Sequence, residues 1–368
     1  MKKSLLYIAF LAFPLALLAQ KQGLRQKYKA FLTPPKRYVC YRTSEKITID
    51  GKGDEQSWQL AKSTENFEDI SGEGHPKPYY PTNAKMLWDN DYLYVLGNIT
   101  DPDLAAQLLQ RDTIVYHDND FEIFIDPTGD GHNYFEIEVN QLGTIFDLSL
   151  EKPYRAPSRG FIQFQWNCPG LQCAIHLDGT LNNPNDRDKG WTVEMAIPRK
   201  AIAAEFDNYL KAGRVLRIGF SRVEWHRDYD VKTGLYLKRK DTKGKTLPED
   251  NWTWGATGMV AMHMPERWGY VYLSSVVVGE GTDTVRLPYD ENMYRFMWMI
   301  FYAQEEYFAK NHHYAKNYAA LGLTITDREL AAGYKFTLET TTYTYELSAQ
   351  RDGVSYVINQ DGKFFKRQ

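Results

Sequence analysis

The residues whose types and spacing could do chemistry gather in residues 111–147, RDTIVYHDNDFEIFIDPTGDGHNYFEIEVNQLGTIFD. Glu122 and Glu138 fall in alternating runs on either side of a turn rich in Pro, Gly, Asp and Asn. On one face of a hairpin, two such carboxylates repel unless a cation, an arginine or a ligand's hydroxyls answers them. They are also the pair of groups that glycoside hydrolysis requires. Farther upstream, Asp50, Asp54 and Glu55 are spaced as oxygen donors for calcium. Trp252 and Trp254 sit in a polar, Gly-containing stretch, PEDNWTWGATG, where rings could contact a ligand. His117, His132, His176 and His263 supply imidazoles, but no Met/His pair has a spacing that points to haem, and each reads as a loop or surface group.

These groups need a frame. Phe121, Ile123 and Ile125 point to one side of the first run, with Asp120, Glu122, Phe124 and Asp126 opposite. In the second run Phe135, Ile137 and Val139 oppose Tyr134, Glu136, Glu138 and Asn140. The segment is an antiparallel hairpin with an apolar face and a carboxylate-lined outer face, which is either a site or a solvated surface. Alternation recurs over residues 82–101, with a tight turn at Asp89, Asn90 and Asp91, and again over 171–180, 190–198 and 214–225. Short strands between Asn/Asp/Gly/Pro-rich loops indicate a β-sandwich. Trp191 shares a face with Val193, Met195 and Ile197 and belongs to the core, and Trp58 reads as a core plug. After a boundary near residues 274–288, apolar residues at helical spacing predict one long helix over 289–321, stopped at Gly322, then two or three strands of a meander. His312 and His313 are adjacent on that helix, point apart and make no metal pair.

The 368 residues carry a formal net charge of −3 and no basic stripe with interleaved aromatics, so nucleic acid is not an expected partner. Rings are abundant, 26 Tyr, 18 Phe and 9 Trp, more than a core of this size needs. Flat rings cover the apolar faces of sugars at small entropic cost. Lys2 and Lys3, an apolar run over 5–18, and Ala19-Gln20 make a secretory signal peptide over residues 1–20, too short for a membrane span. The expected location is secreted or periplasmic. Cys168 and Cys173 are close enough in sequence to pair in an oxidising compartment, leaving Cys40 alone.

The ordered set ITIDGKGDEQSW, AKMLWDNDYLYV, DNDFEIFIDPTGDGHNYFEIEVN, DGTLNN, GWTVEMAIP, GFSRVEW, NWTWG and MPERWG resembles the carbohydrate-binding module family 9-like proteins of secreted polysaccharide-degrading systems, over residues 38–273. The resemblance implies a sandwich related to the DOMON-like group, non-catalytic sugar binding and frequent bound calcium. In the xylanase-attached members two tryptophans sandwich the terminal sugar, and a glutamate in the motif that reads FEIFID here hydrogen-bonds its hydroxyls. That glutamate falls on Glu122, one ring on Tyr116 and the other on Trp252. An arginine of the family's next strand falls on Glu138, which alters the hydrogen-bonding set, and Arg222 in FSRVEW is a candidate replacement from a neighbouring strand. The family's acidic turns correspond to Asp50/Asp54 and Asp126/Asp130, where structural calcium would stabilise loops.

The expected fold class is therefore mainly β: an antiparallel β-sandwich over residues 38–276, then a small α+β domain, a long helix plus β-meander, over 288–368. The expected function is an exported carbohydrate-binding protein in support of carbohydrate catabolism. It would take polysaccharide or oligosaccharide of xylan type, or other glucan or xylan ends, through Tyr116, Glu122, Glu138, Arg222, Trp252 and Trp254, alongside glycoside hydrolases of the same system. The alternative is an O-glycosyl hydrolase using Glu122 and Glu138. It is disfavoured because a flat sheet face exposes both groups to water, whereas hydrolysis needs an acid of raised pKa across a cleft from its partner.

Overall fold

The computed structural model describes residues 23–157, 160–203 and 210–367. The signal peptide expected over residues 1–20 lies outside them. Strands form where the sequence alternates: β1 (Arg37–Arg42), β2 (Thr82–Trp88), β3 (Tyr92–Thr100), β4 (Asp120–Asp126), β5 (Tyr134–Asn140), β6 (Ile145–Leu150), β7 (Gln172–Asp178), β8 (Gly190–Pro198), β9 (Val215–Glu224), β10 (Asp250–Thr253) and β11 (Gly269–Val277). With two two-residue strands they make one 13-stranded sheet, in the order β6-β5-β4-β9-β11-β1-β2-β3-β8-β7, and β10 pairs with β9 off this path.

The sheet folds over so that its halves face each other as a sandwich. Phe121, Ile123 and Ile125 of β4 and Phe220 of β9 meet Met86 of β2, Val95 of β3 and Met195 of β8 in one core. Gly97 of β3 shows how close the halves come, because a Cβ there would lie 2.9 Å from the Phe121 ring. Ahead of the sandwich runs a short α1 (Leu24–Lys27); Trp191 is buried in this core, and Trp58 is buried in a smaller one on α2 (Gln56–Leu60), donating to Glu194 at 2.8 Å. The sheet is mixed rather than wholly antiparallel, because β1 runs parallel to both β11 and β2. No hairpin joins β1 to either neighbour, so no tight turn imposes the antiparallel sense.

The C-terminal unit has its own core. Asp290 caps α3 (Glu291–Asn311) by accepting from the amides of Asn292 and Met293 at 2.9 and 3.4 Å. The long helix expected over 289–321 is interrupted: His312 adopts φ 58°, closing α3 in a left-handed cap, and a short α4 (Tyr318–Leu321) follows before Gly322. The meander has four strands, β12 (Lys335–Thr340), β13 (Tyr345–Arg351), β14 (Val354–Asn359) and β15 (Phe364–Arg367), paired in sequence order. Leu347, Ala349, Ile358 and Phe364 pack on Met297, Ile300 and Phe301 of α3, and Leu24 and Tyr28 from ahead of the sandwich complete the cluster. A seam of buried polar groups joins the two cores. Glu266 accepts from the Tyr302 hydroxyl and from Arg155, each at 2.7 Å, and the Arg217 guanidinium lies 5.7 Å from the ring centroid of Tyr294 on the long helix.

Candidate functional site

The β4–β5 ladder pairs Glu122 with Glu138 and Phe124 with Glu136, and β9 sets Ser221 opposite Glu122 on the other side. Period-two alternation puts Asp120, Glu122, Glu136 and Glu138 on the face turned away from the sandwich core. That face is not the open surface that alternation alone suggests. Val115, Phe124, Tyr134, Phe146, Leu148 and Trp268 form a second apolar cluster on it, and all four acids are buried, Asp120 completely and Glu122 to 6% exposure.

Burial therefore governs their chemistry. It raises the Glu122 carboxyl to about 7, and burial together with the charge of Glu122 raises Glu136 to about 8. Glu138 and Asp120 are pushed well above the usual carboxylate range, by burial first and then by Glu122. Glu138 accepts the Tyr116 amide at 3.1 Å. His263 sits beside the group, its Nδ1 2.8 Å from the Tyr134 hydroxyl and its Nε2 3.7 Å from Glu136. Burial pulls its pKa down to about 3, so it is neutral.

Above this floor is a cleft of about 460 Å³ lined by Glu122, Glu136 and Glu138 and walled by Tyr116, Tyr154, Phe164, Val260 and His263. Tyr116 comes from a short 3-10 turn (Val115–His117), while Tyr154 and Phe164 come from the chain beyond β6. All three rings are exposed, Tyr154 and Phe164 by about half at 51% and 53%. Rings at the mouth and acceptors at the base can stack on a polyhydroxylated ligand and bond its hydroxyls. A second cleft, about 640 Å³, lies by Asp130, Phe135, Phe161 and Trp166, but none of its described lining residues carries a buried unpartnered polar atom.

Tyr116, Glu122 and Glu138 are brought together as expected. Three other expected ligand contacts are not. Trp252 is in β10, not in a loop, and is 2% exposed in the sandwich core, with Tyr79 edge-on at 4.7 Å. Trp254 is equally buried, donates to Glu65 at 2.9 Å and packs so tightly on Gly269 that a Cβ there would meet its ring at 2.2 Å. Neither ring can clamp a ligand with Tyr116. Arg222 points to the core side of β9, one residue out of phase with Ser221, and is committed to Glu224 at 2.7 Å and to Thr82 and the Thr100 carbonyl at 2.9 Å each. It does not answer the charge of Glu138.

In the acidic turns the carboxylates are engaged by the protein's own donors. Asp126 uses both carboxylate oxygens on the amides of Thr128, Gly129 and Gly131, and Asp130 accepts from Thr128 and from the His132 amide. Asp50 pairs with Lys52 at 2.9 Å, and neither it nor Asp54 joins a cluster of three potential ligands among the described residues. Cys40, Cys168 and Cys173 are free thiols, so the pairing that the spacing of Cys168 and Cys173 allows is not formed.

Glu136, Tyr154, Phe164 and His263 were missed as site residues. Glu136 could have been included, since it shares the phase of Glu138. The others lie outside the paired acidic strands, and no local pattern marks them.

The model of the carbohydrate family 9 binding domain-like family matches residues 49–276. Exoglucanase XynX of Acetivibrio thermocellus is 30% identical over 113 residues, 31% of this chain and 10% of that protein. Endo-1,4-beta-xylanase C of Paenibacillus barcinonensis is 33% identical over 129 residues, 35% of this chain and 11% of that protein. The chain thus spans about a tenth of the length of the curated relatives it matches. A carbohydrate binding module family 9 structure from Caldicellulosiruptor kristjanssonii, in complex with glucose, aligns with a TM-score of 0.40 at 15% identity, over 68% of this chain and all of that one. The matched segment takes in both faces of the sandwich and the paired-glutamate hairpin, and the chain belongs to the carbohydrate family 9 binding domain-like family.

Proposed function

We propose that this protein binds the ends of oligosaccharides or polysaccharides, of xylan or glucan type, in the cleft above Glu122 and Glu138, without hydrolysing them. The observation that carries this reading is the combination of exposed rings at Tyr116, Tyr154 and Phe164 with a buried acidic floor in one open cleft. A pyranose has apolar faces for the rings and a rim of hydroxyls for the floor. The reading includes export to the periplasm or outside the cell, supported by the charged and apolar N-terminal run, and work beside glycoside hydrolases of one degradation system.

One observation favours hydrolysis: Glu122 has the raised pKa of a general acid. Its position argues against that role. Glu122 and Glu138 are cross-strand neighbours rising from the same floor, with carboxylate oxygens within 4.8 Å of each other. A glycosidase sets its two carboxyls on either side of the scissile bond. The test is calorimetric titration of the mature chain with xylo- and cello-oligosaccharides, together with a reducing-sugar assay. Tyr154→Ala should weaken binding about ten- to a hundredfold, the loss of roughly 1 to 3 kcal/mol of ring contact. Release of reducing sugar by the wild type, abolished in Glu122→Gln, would replace the binding reading with the hydrolase.

A further inference from the structure

The acids beneath the cleft present an unbalanced charge. Asp120, Glu122 and Glu138 each place a carboxylate oxygen within 4.8 Å of the others, all three buried. No Lys or Arg is among the described residues lining the cleft. Arg222 of the neighbouring strand lies on the opposite face with Glu224, and Arg155 is held by Glu266.

A second observation is independent of the acids. Ser221 is fully buried and stands directly across the ladder from Glu122, near enough to draw that carboxyl's pKa down against burial, yet its hydroxyl meets no partner in well-aligned hydrogen-bond geometry. A buried hydroxyl left without a partner costs about 1 to 3 kcal/mol, so proteins retain few of them. The Oδ2 atom of Asp120, also fully buried, is unpartnered as well. These groups are hard oxygen donors, and three carboxylate oxygens gathered this closely can share one ion of the calcium class.

We propose that Asp120, Glu122 and Glu138, with Ser221 beside them, hold a divalent cation of the calcium class at the floor of the cleft, and that its open coordination positions take vicinal hydroxyls of the bound sugar. The second half of this proposal rests on the sugar-binding reading; the first does not. The ion neutralises the acidic floor and so supplies the positive charge that no side chain of the cleft provides. It is distinct from the acidic turns at Asp50/Asp54 and Asp126/Asp130, whose donors are dispersed or already bonded to the backbone.

The experiment uses the full mature chain after chelator treatment, titrated calorimetrically with Ca²⁺ alone, and with Mn²⁺ followed by electron paramagnetic resonance. One ion per chain is expected. Glu138→Gln and Glu122→Gln should each weaken it at least a hundredfold, while Asp50→Asn leaves it unchanged. The wild-type titration needs no variant to fold, and circular dichroism checks those that are made. Sugar titrations in Ca²⁺ and in chelator complete the test, with at least a tenfold loss of affinity expected in chelator. A silent Ca²⁺ and Mn²⁺ titration with sugar affinity unaffected by chelator overturns the cation site, leaving the acids held by shared protons, and keeps the sugar reading. Ion binding that survives Glu122→Gln and Glu138→Gln also overturns it. Ion binding lost in those variants, with no sugar bound in either condition, supports the cation site and removes the sugar reading.

Discussion

Trp252→Ala separates a core tryptophan from a ligand clamp. The ring is 2% exposed, packs against Tyr79 at 4.7 Å and lies 5.0 Å from the Arg222 guanidinium, itself fully buried. Truncating a buried tryptophan costs about 3 to 5 kcal/mol through lost contacts and the remaining cavity. Removing the aromatic face from a desolvated guanidinium adds up to about 2 kcal/mol. A loss of about 4 kcal/mol is a large share of the stability of a domain, and at roughly 2 to 4 °C per kcal/mol it lowers the melting temperature by about 10 °C. Urea titration and differential scanning calorimetry measure this, and oligosaccharide titration at low temperature, where the variant stays folded, should return wild-type affinity. A variant that melts with the wild type but has lost its ligand would refute the placement of Trp252 in the core, and with it the choice of Tyr116, Tyr154 and Phe164 as the ring set.

Tyr116→Ala should behave in the opposite way, losing about tenfold in affinity with little change in melting, because its ring is on the rim and only its backbone amide bonds Glu138. Tyr302→Phe removes the hydrogen bond to buried Glu266 and should cost about 1 to 3 kcal/mol in urea titrations; no loss would mean that the seam between the two cores is not cooperative. Burial raises the Glu305 carboxyl to about 7, so its contribution to stability is full below about pH 4.5, the unfolded value, and is lost as pH rises through 7. Glu305→Gln should flatten that part of the stability profile, and an unchanged slope would count against the assignment. All three thiols should label in urea without reductant, but slowly in the folded chain, since burial raises Cys168 and Cys173 to about 12 and Cys40 well above its usual value.

The shared core face of Phe121, Ile123, Ile125, Ile137 and Val139 was legible because strand side chains alternate with a period of two whatever surrounds them. The same rule paired Glu122 with Glu138 and made Trp191 a core residue. Applied one strand further it could have corrected Arg222, which is in phase with the core residue Phe220. The left-handed break at His312 was hidden inside an uninterrupted helical pattern, since apolar spacing does not report backbone conformation.

Local alternation thus determined the strands, the sandwich and the common face of the acids, because each depends on neighbours two residues apart. What covers that face was decided by tertiary packing. Trp252 and Trp254 left the polar text around them for the core because β10 pairs with β9, more than twenty residues upstream. Tyr154, Phe164 and His263 reached the cleft from segments far apart in sequence, and the Met262–Trp268 side of the cleft turned a hairpin surface into a desolvated floor. Burial and carboxyl proximity set the pKa of Glu122, and both are properties of atoms in space, not of their order in the chain.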